Sequence, residues 1–279
     1  MKTTQSIIAL VLLVSITFAA CKKTKETVDE IQTTFELSGD QAISDNLTQD
    51  ANDVLTEAAT DNNLMGGRTT EQLLTTNTLS CATVTVTGNF PSKNILIDFG
   101  TTGCISQNGV YRKGKINIVL TDSLRKTGSV ATLTFDNYYV NTYKKEGLII
   151  WTNTSTATTK SWNRKVNNGK ITAANGSYWL HTSNIDITQT AGASTPLNLT
   201  DDIYTFTGTR TVTNADGKSR TSTTQTPLQK KTNCNNIDSG ILKVQGPNHF
   251  ALIDFGNGTC DNTATVSIDG RPSITVTLR

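Results

Sequence analysis

From residue 205 to residue 213 every second position is threonine. The positions between are Phe206, Gly208, Arg210 and Val212, with Tyr204 just ahead. A period of two sends alternate side chains to opposite faces of a strand, so this segment has a wet face and an inward one. Threonine suits the wet face because it is β-branched and hydroxylated, which keeps the backbone extended without exposing oil. Threonine supplies 51 of the 279 residues, so the pattern is general. Over 131–140, for example, Ala131, Leu133, Phe135 and Tyr139 fall on one face. The expected fold is all-β: an antiparallel meander forming a curled sheet, an open barrel or a sandwich, preceded by one short N-terminal helix. Alternation does not choose among the three. The threonine-rich faces disfavour a membrane-spanning barrel, whose lipid-facing band has to be apolar.

A duplication is the second constraint. Ile95-Leu96-Ile97-Asp98-Phe99-Gly100, three residues and Cys104 return as Ala251-Leu252-Ile253-Asp254-Phe255-Gly256, three residues and Cys260. Six of ten positions are identical, at a separation of 156. Each copy has an upstream cysteine, Cys81 or Cys234, and a downstream glycine, Gly114 or Gly270. Lys113-Gly114 and Asp269-Gly270 read as hairpin turns, as do Asn168-Gly169 and Asp216-Gly217. The β domain is therefore placed over 80–279, with modules at 81–121 and 234–278. Four cysteines permit three pairings, and duplication favours Cys81–Cys104 and Cys234–Cys260, each stabilising by about 3 kcal/mol. No close cysteine pairs suggest a zinc site, and no metal is assigned. Asp254, Asn257 and Asp261 offer oxygens of the kind calcium takes, but the matching first-copy positions end in Thr101 and Ile105. Asp98 and Asp254 are instead expected to accept hydrogen bonds from the turn that follows. The Asp-Phe-Gly triplet stands without the glycine-rich loop, strand lysine or catalytic loop of a protein kinase.

At the N-terminus, Lys2 precedes an apolar run from Ile7 to Ala20 that ends Phe18-Ala19-Ala20-Cys21. This ending resembles the lipobox of bacterial lipoprotein precursors. The resemblance implies that 1–20 is a signal peptide and that Cys21 is lipidated, with each buried methylene contributing about 0.8 kcal/mol to anchoring. Together with the strands and the repeated module, the chain resembles all-β lipoproteins of the Bacteroidota. That resemblance implies an outer-membrane location, a membrane partner through the N-terminal lipid, and a compartment where disulfides persist. Lys22-Lys23-Thr24-Lys25 replaces the acidic run carried by many surface-exported members, so the periplasmic and exterior faces both remain open. Asp122-Ser123-Leu124 resembles the O-glycosylation sequon of exported Bacteroidota proteins, which implies modification at Ser123. Residues 21–39 read as a tether and 40–67 as an amphipathic helix with its linker. Ile43, Leu47, Ala51, Val54, Leu55 and Ala58 form one helical stripe over about 40–61, with Asp40 as N-cap and Asn62-Asn63 and Gly66-Gly67 as stop signals.

Functional signals are sparse. Lys plus Arg number 25 against 23 Asp plus Glu, so there is no basic field for nucleic acid. Gly-x-Ser-x-Gly, His-Glu-x-x-His and phosphate-loop motifs are missing, and no cofactor is implied. His181 and His249 are the only histidines and read as strand and loop residues. Asp136, Asp201 and Asp202 are the carboxylates considered for hydrolysis, though sequence gives no separation between them. Trp151 and Trp162 flank Thr152–Ser161. A turn centred on Thr156-Ala157 makes them directly opposed, with Arg164 on the face of Trp162. They read first as sheet stabilisation and second as a platform for a ligand. The expected function is a lipid-anchored envelope protein with a non-enzymatic structural or protein-interaction role, its partner an envelope protein or glycan. The alternatives are a module binding a glycan or a hydrophobic ligand and, more remotely, a carboxylate hydrolase.

Overall fold

The computed structural model describes residues 4–66, 77–195, 201–234 and 236–277, with side chains from residue 28. Among the described residues one helix, α1 (Thr4–Asp61), precedes fourteen strands. These are β1 (Thr83–Thr87), β2 (Lys93–Asp98), β3 (Cys104–Ile105), β4 (Tyr111–Leu120), β5 (Val130–Val140), β6 (Tyr143–Asn153) and β7 (Lys160–Thr172). They continue with β8 (Tyr178–Ala191), β9 (Ile203–Asn214), β10 (Ser219–Lys231), β11 (Ser239–Gln245), β12 (Phe250–Asn257), β13 (Thr263–Ile268) and β14 (Ile274–Thr277). All belong to one antiparallel sheet in chain order, with the two-residue β3 paired alongside β4. The ends, β1 and β14, do not pair with each other, so the meander is an unclosed sheet.

The helix crosses this sheet in the reverse of chain order. Glu30 accepts hydrogen bonds from Asn248 and His249, in the turn between β11 and β12. Arg220 on β10 donates to Thr34, Arg210 on β9 meets Asp45, and Trp179 on β8 donates to Ser44. Further along, Arg164 on β7, Lys145 on β6 and Arg112 on β4 meet Gln49, Thr48 and Asp50. Glu57 finally accepts from the backbone of Thr78 and Leu79, ahead of β1. At about 1.5 Å per residue, the helix from Glu30 to Glu57 is ~40 Å long. Strands about 4.8 Å apart need a similar distance, roughly 43 Å, to pass from β11 to β1. The helix therefore lies across the strands and covers one face.

That geometry extends the helix beyond the stripe read over 40–61. Residues 28–39, inside the segment read as a tether, are helical, and Thr33, Thr34 and Leu37 are buried. Asp40 is consequently mid-helix and caps nothing. The sheet-facing residues Thr33, Thr34, Gln41, Ser44 and Thr48 are buried but polar, so hydrophobic periodicity cannot reveal this face. Several of their hydroxyls are satisfied within the helix, as when Thr33 donates to Asp29 O at 2.8 Å and Thr48 to Ser44 O at 2.7 Å. The stop signal read at Asn62-Asn63 is where the helix ends. Asn63 adopts φ 57°, Asn63 N donates to Thr60 O and Leu64 N to Ala59 O, which together form a Schellman closure.

The main core joins Ala51, Val54, Leu55 and Ala58 of α1 to Ile95, Ile97, Ile116, Ile118, Leu133, Ile149 and Ile185 of the sheet. A separate small cluster, Val244, Ala251 and Val266, lies near the far end. The two modules share one plan. β1 and β2 are followed by Cys104 and β4; β11 and β12 are followed by Cys260 and β13. Ile97 sits between Val84 and Ile116, and Ile253 between Leu242 and Val266. Gly100 N donates to Asp98 Oδ1 at 2.8 Å, and Gly256 N to Asp254 Oδ1 at 2.9 Å. Cys81 and Cys104, and Cys234 and Cys260, form the two disulfide pairs, with Cα separations of 6.2 and 5.3 Å.

Three local readings are corrected by bulges. Lys113-Gly114 is no hairpin turn: Gly114 lies within β4 at a register shift against β5, whereas Asp269-Gly270 does turn the chain from β13 into β14. Gly114 has φ 83°, and a Cβ there would stand 2.1 Å from Asn137 O, so only glycine fits. Asn168-Gly169 likewise lies inside β7 at a register shift. Across β5, Asn137 adopts φ 46°, which moves the alternation by one residue. Tyr138, fully buried, thereby takes the inward place read for Tyr139.

Candidate functional site

A cleft of about 810 Å³ opens between the last turns of α1 and strands β6 to β10. The helix contributes Gln49, Asn52, Asp53, Thr56 and Thr60, spaced to lie on one stripe. The sheet contributes Trp151, Trp162, Ile187, Tyr204 and Phe206. Leu55, Met65 and Leu124 add further apolar lining. Such a volume belongs to the range of small-molecule sites, and its lining combines apolar and aromatic side chains with many polar ones.

The two tryptophans, read first as sheet stabilisation and second as a platform, both line this cleft, but they are not opposed. The β6–β7 turn closes through Thr156 N to Thr159 O, so Trp162 faces Asn153 and Trp151 faces Arg164. The turn lies one residue later than its expected centre, which changes the pairing by two, so both rings keep the same face. Arg164 stacks over Trp151, with its guanidinium carbon 5.6 Å from the ring, rather than over Trp162. Trp162 instead lies beside Tyr204, with ring centroids 6.3 Å apart. Trp151 is 8% exposed, and its Nε1 has no hydrogen-bond partner.

Tyr204 Oη donates to Asp202 Oδ2 at 2.9 Å, and Gln189 Nε2 donates to Oδ1 at 2.8 Å. Burial and the Asp201 charge raise the Asp202 pKa, against the pull of these hydrogen bonds. Burial also raises Asp53, with Asp50 adding to it, while the Gln49 hydrogen bond and Lys230 act the other way. Gln49, Asn52 and Asp53 lie off the apolar stripe of the helix, so hydrophobic periodicity does not single them out. The polar stripe beside it, at 49, 52, 53, 56 and 60, was the available signal. Of the carboxylates weighed for hydrolysis, Asp202 lines the cleft, with both oxygens engaged, and Asp136 is exposed on β5.

Beneath the helix the inner sheet face is cationic. Arg112, Lys145, Arg164, Arg210 and Arg220 are each at most 4% exposed. Burial, reinforced by the Arg164 charge, lowers the Lys145 pKa to about 7 despite Asp45 and Asp50. Burial lowers Arg164 to about 10. His181 is held down at about 3 by burial and the Lys145 charge, and is therefore neutral in the fold. Burial works against Arg112 too, yet the Asp50 hydrogen bond and charge leave its pKa raised. His249, the other histidine, bonds through Nδ1 to Asp269 at 2.6 Å and ties the β11–β12 turn to the β13–β14 turn.

Ser123 lies in the β4–β5 connection and is half-buried. Its neighbours Leu124 and Arg125 donate backbone bonds to Leu64 and Met65 after the helix. Cys21 falls within α1, but its side chain lies outside those described. Among the described residues no helix is long and apolar enough to cross a membrane. No protein-family model, no curated protein and no solved structure matches the chain.

Proposed function

We propose that this chain is a non-enzymatic binding protein of the bacterial envelope, anchored to the outer membrane through lipid on Cys21, whose cleft holds a small ligand. The observation that carries the reading is the placement of Trp151 and Trp162, separated in sequence by a turn, on the wall of one 810 Å³ cleft. A purely structural role asks for a filled interior, and here the space between helix and sheet is lined rather than filled. The location rests on the lipobox-like Phe18-Ala19-Ala20-Cys21 ending.

Two measurements test it. Native mass spectrometry of the protein purified from envelopes should show a small-molecule adduct at near-full occupancy, reduced in Trp162→Ala. Recovery of a stoichiometric protein partner with no adduct would return the chain to a structural or protein-interaction role. Metabolic labelling with a fatty acid should mark the wild-type chain and leave Cys21→Ser unlabelled; equal labelling of both would remove the anchor from the account.

A further inference from the structure

Granting the cleft as a binding site, we infer that its ligand is a short uncharged oligosaccharide, with one ring face against Trp162 and Tyr204 and its hydroxyl edge toward α1. The two walls differ in kind. The sheet wall is aromatic, with Trp162 and Tyr204 inclined at 55° to each other. The helix wall is a stripe of amides, a carboxylate and a hydroxyl: Gln49, Asn52, Asp53 and Thr56. Gln49 Nε2 donates to Asp53 Oδ1 at 2.9 Å, which holds that pair in one arrangement.

An acyl chain matches the first wall and fails on the second. Covering Asn52 and Asp53 with hydrocarbon removes their water and returns no hydrogen bond, an uncompensated cost. A sugar ring matches both, because its C–H face is apolar and its rim carries hydroxyls. Trp151 adds a third aromatic ring to the same lining. The charges lining the cleft balance. Asp53, Glu57 and Asp202 stand against Arg125, Lys160 and Lys230, so no net field selects an ion.

The test uses the full chain in detergent, titrated calorimetrically and by tryptophan emission. The probes are neutral tetrasaccharides of glucose, mannose, galactose, xylose and N-acetylglucosamine, and separately palmitate and N-phenyl-1-naphthylamine. At least one saccharide should bind saturably. Trp162→Ala and Asn52→Ala should each weaken it about tenfold, equivalent to ~1.4 kcal/mol. Asn52 is half-exposed on the helix, so its substitution keeps the test decisive if the tryptophan variant misfolds. Binding of palmitate or the dye without any saccharide would overturn the sugar assignment and leave the cleft's binding role standing. Binding of neither class would overturn both. Saccharide binding unchanged in both variants would place the sugar elsewhere and sink the inference.

Discussion

The Asp50 carboxylate on α1 lies 2.5 Å from the guanidinium of Arg112 on β4, and that arginine side chain is 1% exposed. Tyr138 Oη donates to the same carboxylate at 2.9 Å. One helix residue thus neutralises a cation buried in the sheet and satisfies a buried phenol. Removing the carboxylate strands the cation, which costs far more than the pair contributes when intact. Asp50→Ala should destabilise by about 3–5 kcal/mol in urea unfolding. Arg112→Met with Asp50→Leu should recover much of that loss, because packing replaces charge. A single variant within ~0.5 kcal/mol of wild type would show that the contact does not matter to the fold.

Lys145 makes stability depend on pH. Its pKa is about 7 in the fold and 10.5 when unperturbed, so the unfolded chain binds the proton more tightly. Between those values the unfolded state carries more protons, and stability rises with pH by up to ~1.4 kcal/mol per unit. Below pH 7 both states are protonated, and the full penalty for burying the charge applies. Lys145→Met should therefore stabilise at pH 6 and lose its advantage towards pH 10.5. Denaturant melts of both proteins at pH 6, 8 and 10 decide this, and parallel curves would refute it.

Gly114 and Gly270 occupy corresponding places in the repeated sequence and different places in the fold. A Cβ at Gly114 meets the Asn137 backbone, whereas at Gly270 it meets nothing within 4 Å. Both have positive φ, so alanine strains each by about 1–2 kcal/mol. Gly114→Ala additionally forces two backbones apart and should cost clearly more, with a melting temperature below that of Gly270→Ala. Equal losses would mean that the bulge relaxes freely.

The disulfides close loops of similar length, 23 and 26 residues. Each should contribute about 3 kcal/mol, so replacing either pair by serine should lower stability comparably. Mass analysis of the non-reduced protein after alkylation should find no label on these four cysteines. Label on all four would break the pairing.

Class, duplication and staples were legible in the sequence because each is written locally or as a repeat. Threonine alternation specifies strands, and the Asp98 and Asp254 turns follow from residues two apart. The helix terminus at Asn63 is legible for the same reason. What tertiary structure decided depends on partners distant in the chain. The helix reaches back past residue 40 because its inward residues, Thr34 and Ser44 among them, meet Arg220 and Trp179, and polar faces carry no hydrophobic period. Bulges at Gly114 and Asn137 shift the alternation by one residue and exchange Tyr139 for Tyr138, an event visible only once neighbouring strands pair. The cleft is the clearest case. Asn52 and Trp162 lie 110 residues apart, and only the laying of a helix across strands makes them opposite walls of one space.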